Sequence, residues 1–360
     1  MDEVLRIYAD RDGKKTVIPL YKGIDDLYLL ASITNKIMDE LRMATITWLS
    51  KEVYDKLNLE ILVEDSDWIN AFATKYNGKY IIALSRGLLL RCHDEIISWI
   101  ESPNYTKVYK LSDENKDVFV EDMYREMIFF VIAHELGHIV NGHIDARDAN
   151  FCYIDELSLE KTEDNWNTQL REYNADCFAT RLCSWIKMGH CKKNKELTLS
   201  QFDILGMEMF LTFNLLSYSR KQDFADYMDK NIEDIDHPHP GIRMMYCIFV
   251  MADELLMVWE EKEVKEIIAI AYDGIIRTDK YLFDKEKYRE CIYSVAGTQK
   301  GAEHIMSLIN DWNEVADEYQ KYAFIPMRRT ENLESQLVFV DDDGNVLVPN
   351  FNIDIFGYNN

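Results

Sequence analysis

Two histidines with a glutamate between them follow an apolar stretch of the chain. The motif H-E-L-G-H at residues 134–138 comes directly after Phe129–Ala133, and the apolar run predicts a buried helix. On a helix, His134 and His138 lie about 40° apart around the axis, so both imidazoles can reach one tetrahedral metal ion. Glu135 is rotated by about 100° from His134, which places its carboxylate beside a metal-activated water as a general base.

A metal site of this kind needs a third ligand. The metzincin extension is disfavoured, because Asn141 and Ile144 occupy the positions where it requires Gly and His. Glu172, on a second predicted helix, would complete a His-His-Glu site that leaves one position to water. Asp176 follows one turn later and could accept the outer N–H of a liganding imidazole. The alternative for this acidic pair is a solvated helix face. With Glu172 as ligand, the site predicts a zinc-dependent hydrolase that uses one catalytic Zn²⁺ ion.

Composition excludes several other classes. The 360-residue chain is 48% hydrophobic with 14 Gly and 6 Pro, which argues against linker-rich or disordered protein. Its net charge of −24 disfavours nucleic acid as a partner. We find no secretory signal and no apolar run near the roughly 20 residues that span a bilayer. The 7 cysteines form an odd set without a C-x-x-C pair, as expected for reduced thiols. We therefore expect a cytoplasmic protein without stable membrane insertion.

Strand signals and helix signals occupy different parts of the chain. Alternating residues at Leu57–Val63 and Lys79–Leu84, the latter after a turn at Asn77 and Gly78, predict two strands of a small sheet. Residues 25–57 have apolar residues at helical intervals that predict one or two amphipathic helices. Most of the chain after Glu121 also has helical periodicity, first to about Val140, which favours an α+β fold dominated by helices. The tail, residues 325–360, contains alternating runs around Asp-Gly that predict a β-hairpin extension after a domain of residues 1–324.

Four blocks in the sequence match, in order, those of a known family. They are Asn70-Ala71-Phe72 with the strand Tyr80–Leu84 and Arg86-Gly87, the motif at residues 134–138, Glu172-x-x-Ala175-Asp176, and His237-Pro238 with Arg243. Together they resemble the gluzincin endopeptidases that include the prenyl-protein and heat-shock membrane peptidases. The chain lacks the membrane helices of the best-known members, so it is similar to their soluble relatives. The cytosolic phage-exclusion type of zinc peptidase shares parts of the pattern.

The resemblance implies a zincin-like fold and a role for each matched residue. His134, His138 and Glu172 would be the metal ligands and Glu135 the general base. His237 and Arg243 would lie near the substrate carbonyl, where one stabilises the oxyanion and the other orients it or a supporting carboxylate. His239-Pro240 repeats His237-Pro238, so either imidazole could take this role, with the interval to Arg243 favouring His237.

The same resemblance implies where a substrate binds. The strand Tyr80–Leu84 would be an edge strand whose unpaired backbone binds an extended peptide by β-addition. An ordinary structural strand is the alternative. The implied substrate-binding residues are Asn70, Ala71, Phe72, Ile81, Ile82 and Ala83.

The remaining histidines are given no part in the site. His143, five residues after His138, would be rotated by about 140° from it and so leave the metal face. His93, His190 and His304 have no neighbours typical of ligands, and we interpret them as surface or core residues.

The leading hypothesis is a zinc-dependent endopeptidase that acts on a protein or peptide. A metal-stabilised binding or regulatory protein that does not cut its partner is the alternative, and an accidental motif without metal is a third. Because an active cytosolic endopeptidase is hazardous, we expect the tail or a loop flanking the metal helix to limit access until a partner binds.

Overall fold

The structure is a computed structural model that forms two compact units. It describes residues 17–19, 37, 43, 47, 49–64, 66–102, 113–146, 153–155, 165–191, 195–217, 224–282 and 292–329. The first unit contains the described residues of Met1–Glu101, Leu111–Glu160 and Glu318–Met327. The second unit contains those of Ser102–Lys110, Lys161–Asp317 and Arg328–Asn360.

The first unit is built on a mixed sheet of five strands. These are β1 (Val17–Pro19), β2 (Leu59–Glu64), β3 (Ala71–Tyr76), β4 (Lys79–Ser85) and β5 (Tyr153–Asp155). Their order across the sheet is β1-β2-β4-β3-β5, in which β2 and β4 run parallel and the other neighbours are antiparallel. A small sheet beside long helices confirms the predicted α+β class.

The turn between β3 and β4 lies where the sequence predicts it. Asn77 and Gly78 have φ of +48° and +77°, and Tyr76 pairs with Lys79 across them. Two successive residues with positive φ are the requirement of a two-residue type I′ hairpin.

The prediction that Tyr80–Leu84 forms an edge strand is wrong. β4 pairs with β2 on one side, from Tyr80 opposite Leu59 onwards, and with β3 on the other. The error arises because the parallel partner, β2, comes from a segment that precedes the hairpin. The local sequence contains no pattern that predicts such a parallel pair. The residues predicted to bind a peptide through this backbone, Ile81, Ile82 and Ala83, are also buried, so this prediction is wrong for them too.

The first unit also contains helices. They are α1 (Lys51–Leu57), α2 (Arg86–Glu101), α3 (Asp113–Val140) and α4 (His143–Ala146). α3 contacts β3, β4 and α2, and its second half, from Met127 to Val140, is buried. A helix that is apolar on all sides is one enclosed by protein. The predicted end of this helix at Val140 is confirmed.

The second unit is helical. Its elements are α5 (Asn165–Cys191), α6 (Lys195–Ser217), α7 (Phe224–Asp229), α8 (Pro240–Leu256), α9 (Glu261–Leu282), most of α10 (Gln299–Gln320), and 3-10 turns at Ile232–Asp234 and Ile292–Gly297. α8 packs against α5, and α9 against α6. Within the described part of the chain, no helix has the length and apolar character needed to cross a bilayer.

Two sequence predictions fall mainly on undescribed parts of the chain. The hairpin predicted in residues 325–360 lies outside the described residues, which end at 329. The domain boundary at residue 324 and the regulatory role of the tail therefore stay predictions. The helices predicted between residues 25 and 57 are described only in part, with α1 as their last segment.

Candidate metal centre

The motif at residues 134–138 lies in the buried half of α3. His134, Glu135 and His138 are 2%, 1% and 1% exposed. Ionisable groups are seldom enclosed to this degree unless partners or a metal compensate the lost hydration. The burial of all three side chains together therefore indicates a built site.

The two histidines of the motif face each other. Their Nε2 atoms lie 3.1 Å apart and their rings meet edge to face. Two nitrogens bound at about 2.0–2.1 Å to one tetrahedral ion lie roughly 3.3 Å apart. The spacing of His134 and His138 therefore fits two ligands of a single ion.

His143 lies close to His138, contrary to the expectation that it leaves the metal face. The Nδ1 atoms of the two residues are 2.9 Å apart, and His143 is fully buried. The helical angle misplaces His143, because α3 ends at Val140 and the chain turns at Gly142, where φ is +77°. His143 is not in the three-residue cluster of ligand atoms described below.

Glu172 and Asp176 lie one turn apart on α5, and both are 0% exposed. The alternative of a solvated helix face is therefore wrong for this pair. Asp176 accepts hydrogen bonds of 2.8 Å from both Nε and Nη2 of Arg243 and another from the hydroxyl of Tyr246. Burial and then the Asp176 charge raise the pKa of Tyr246 well above its ordinary value, which keeps this hydroxyl a donor. The predicted bond from a liganding imidazole to Asp176 stays a prediction.

Arg243 pairs with one carboxylate of α5 and lies close to a second. Besides its bidentate pair with Asp176, its Nη2 lies 3.8 Å from Oε2 of Glu172. Its guanidinium stacks over the ring of Phe213, 4.7 Å from the centroid, and the side chain is buried. Such planar, two-pronged pairing fixes both partners in place. Of the two roles left open for Arg243, the geometry favours orienting a supporting carboxylate.

His237 is buried beside Glu172 with both ring nitrogens open. Its Nε2 lies 3.8 Å from Oε1 of Glu172, and its Nδ1 lies 3.6 Å from Oδ2 of Asp236. Neither nitrogen makes a hydrogen bond to any residue that the structure describes. Since buried polar groups are nearly always paired, an open imidazole at this place has capacity for a ligand.

His239 has a different task from His237. Its Nδ1 accepts a hydrogen bond of 3.1 Å from the backbone N–H of Gly241 and so caps the N-terminus of α8. A capping acceptor stabilises the helix start, and this use occupies one of the ring nitrogens. The geometry therefore favours His237 over His239 for contact with a substrate.

A buried network that includes His304 holds the segment before His237. The amide nitrogen of Gln169 donates to the carbonyls of Ile232 and Ile235, at 2.9 and 2.6 Å. Because both amide protons are used, the amide oxygen of Gln169 must accept the 2.7 Å bond from His304 Nε2. The Nδ1 of His304 then accepts the 3.0 Å bond from the Tyr227 hydroxyl. His304 is expected from the sequence to be a core or surface residue, and its part in this network depends on contacts between residues far apart in the chain.

Three residues predicted to bind substrate lie at the start of β3. Ala71 and Phe72 are fully buried, and Phe72 packs in the core of the sheet. Asn70 pairs with Ser85 through its backbone, while its buried amide oxygen has no partner among the described residues. The substrate-binding role of all three stays a prediction, and Asn70 is the one with open polar capacity.

His134, His138 and Glu172 form a cluster that could hold a metal ion. One ligand atom from each lies within 4.8 Å of the others, and all three residues are buried. Two imidazoles and a carboxylate are a donor set typical of catalytic zinc. The residues present therefore fit such an ion.

An α+β fold with a buried His-His-Glu cluster defines a candidate metal-dependent hydrolase. Residues 54–227, just under half of the chain, match the model of Peptidase family M48. The matched segment contains the three clustered residues and Glu135 and ends before His237. The match supports a zinc metallopeptidase family and a hydrolase that acts on peptide bonds. No curated protein and no solved structure matches the chain.

Proposed function

We propose that this protein is a zinc-dependent endopeptidase that cuts a protein substrate. The observation that carries the proposal is the convergence of His134, His138 and Glu172 within 4.8 Å, with Glu135 next to His134 on the same buried helix. The family match over residues 54–227 supports the same reaction class.

His134, His138 and Glu172 would hold the zinc ion. When bound, zinc supplies Lewis acidity, which polarises a carbonyl and lowers the pKa of a water molecule. The protein supplies the rest: Glu135 takes the proton of the attacking water and returns it to the leaving amine. Asp176 and Arg243 keep the Glu172 face of α5 in a fixed arrangement.

His237 is the proposed partner of the developing oxyanion. An N–H aimed at charge that appears only in the transition state lowers the barrier without tightening substrate binding equally. The open ring nitrogens of His237, close to Glu172, support this role. The prenyl-peptidase and heat-shock-peptidase relationship, the cytoplasmic location and a regulatory partner stay predictions.

The test compares wild type with Glu135→Gln. The variant should keep its zinc and lose about 10²- to 10⁴-fold in turnover, because the general base is gone. Zinc content is measured by elemental analysis, and cleavage by mapping new protein termini in a cell extract. Glu121→Gln makes the same change at an exposed position of α3 and should cleave like wild type.

Each failure of this test has a distinct meaning. Undiminished cleavage by Glu135→Gln removes Glu135 from the mechanism. A folded, zinc-loaded wild type that cuts nothing favours the non-proteolytic binding protein. Purified wild type without stoichiometric zinc indicates an accidental motif.

A further inference from the structure

His143 meets His138 on the side opposite the pair of facing Nε2 atoms. His138 directs Nε2 toward His134 and Nδ1 toward Nδ1 of His143, at 3.1 and 2.9 Å. The three imidazoles therefore form a chain in which His138 is the middle ring. Its two nitrogens have different partners.

Metal binding would determine which ring nitrogens carry protons in this row of three imidazoles. A ligating Nε2 must offer its lone pair, so the neutral ring of His138 carries its proton on Nδ1. That N–H then donates to Nδ1 of His143, whose own proton must lie on Nε2. Nδ1 of His143 can accept this N–H when His143 carries its own proton on Nε2, so the two rings have one arrangement of protons that suits metal binding by His138.

Three structural features hold His143 at this place. The chain turns at Gly142, whose φ of +77° suits glycine, and a Cβ there would lie 2.6 Å from the carbonyl carbon of Tyr322. The ring of Tyr319 packs edge to face on His143, at 5.2 Å between centroids. The backbone N–H of Phe324 donates to the carbonyl of Val140 at 2.8 Å. Residues 319–324 therefore fasten the end of α3 and His143 together.

We propose that His143 is a positioning residue for the metal centre, which selects the tautomer of His138 that binds the ion. The inference rests on the metal site of the proposed function and adds a residue outside its ligand set. Partners that accept the outer N–H of a metal-bound imidazole typically contribute 10- to 100-fold in metal affinity.

The test measures Zn²⁺ affinity of the full chain, by competition with a chelator, for three variants at this position. His143→Leu removes the acceptor and should weaken zinc binding by about 10- to 100-fold. His143→Asn places an amide oxygen near the position of Nδ1 and should retain most of the affinity. His143→Gln places its amide one bond further out and should behave like His143→Leu.

The matched amides keep the proposal falsifiable if His143→Leu does not fold. Equal zinc affinity of His143→Asn and His143→Gln overturns the inference, because acceptor position would then not matter. Wild-type affinity in a folded His143→Leu variant overturns it as well. If the wild type binds no zinc, the proposed function itself is rejected. If zinc binds with an affinity that does not depend on residue 143, only this inference is rejected.

Discussion

His237 and His304 are two buried histidines of the second unit with opposite surroundings. His237 is 3% exposed and has no hydrogen bond to either ring nitrogen from the described residues. His304 is 0% exposed and has both nitrogens paired, with Tyr227 and Gln169. Burial alone therefore does not distinguish these two histidines, whereas their hydrogen bonding does, and the proposed role of His237 rests on its open ring nitrogens.

The two histidines are connected through Gln169. This residue accepts from His304 and donates to the carbonyls of Ile232 and Ile235, and Ile235 directly precedes Asp236. It also lies one turn before Glu172 on α5. The saturated network thus anchors the segment that carries the open imidazole near the proposed ligand.

The largest expected effect is on catalysis. His237→Ala should lower kcat by about 10²- to 10³-fold, because it removes one oxyanion donor, while KM, zinc content and the urea midpoint stay near wild type. Cleavage of a substrate found by terminus mapping provides the measurement. A drop in the urea midpoint together with unchanged kcat of the folded fraction would show that His237 is structural.

The second effect is on the stability of the protein rather than on catalysis. His304→Leu leaves the Tyr227 hydroxyl and the Gln169 amide oxygen buried without this partner, which should cost about 1–3 kcal/mol in the free energy of unfolding. Urea unfolding measures the loss. We expect zinc binding by the folded variant to persist, and wild-type stability would contradict the network.

The last effect is a pH dependence of stability. Burial, together with the charges of His239 and Lys300, lowers the pKa of His304 from 6.5 to about 3. In the unfolded chain, His304 therefore binds a proton near pH 6.5, whereas in the folded protein it binds that proton only near pH 3. The stabilisation is fully present above pH 6.5 and is lost as the pH falls, by about 1.4 kcal/mol per unit.

Urea unfolding of wild type and His304→Gln between pH 6.5 and 4.5 checks this dependence. The wild type should lose stability more steeply than the variant over that range. Equal slopes would show that His304 does not contribute the titrating group.

The positions that the sequence predicts correctly are those that depend on residues close to one another in the chain. His134, Glu135 and His138 share one helix, and Glu172 and Asp176 share another, so spacing alone places each set on a face. The turn at Asn77 and Gly78 is equally local. Helix ends and hairpin turns are encoded by neighbouring residues, which is why these predictions agree with the structure.

The contacts that the sequence does not predict join residues far apart in the chain or follow a turn of the backbone. The parallel pairing of β2 with β4 depends on packing rather than on any local signal. The contact between Gln169 and His304 joins residues 135 positions apart. His143 is close in sequence to His138, yet the turn at Gly142 breaks the helical geometry on which its predicted position relied.

The bond from Phe324 to Val140 has a consequence for synthesis of the protein. The carbonyl at the end of the metal helix leaves the ribosome about 180 residues before its partner, a delay of roughly 10–40 s at ordinary translation rates. During that interval, the nascent helix must wait with its last turn unsecured. The end of α3 is therefore expected to be held in place only after residues 319–324 have been synthesised.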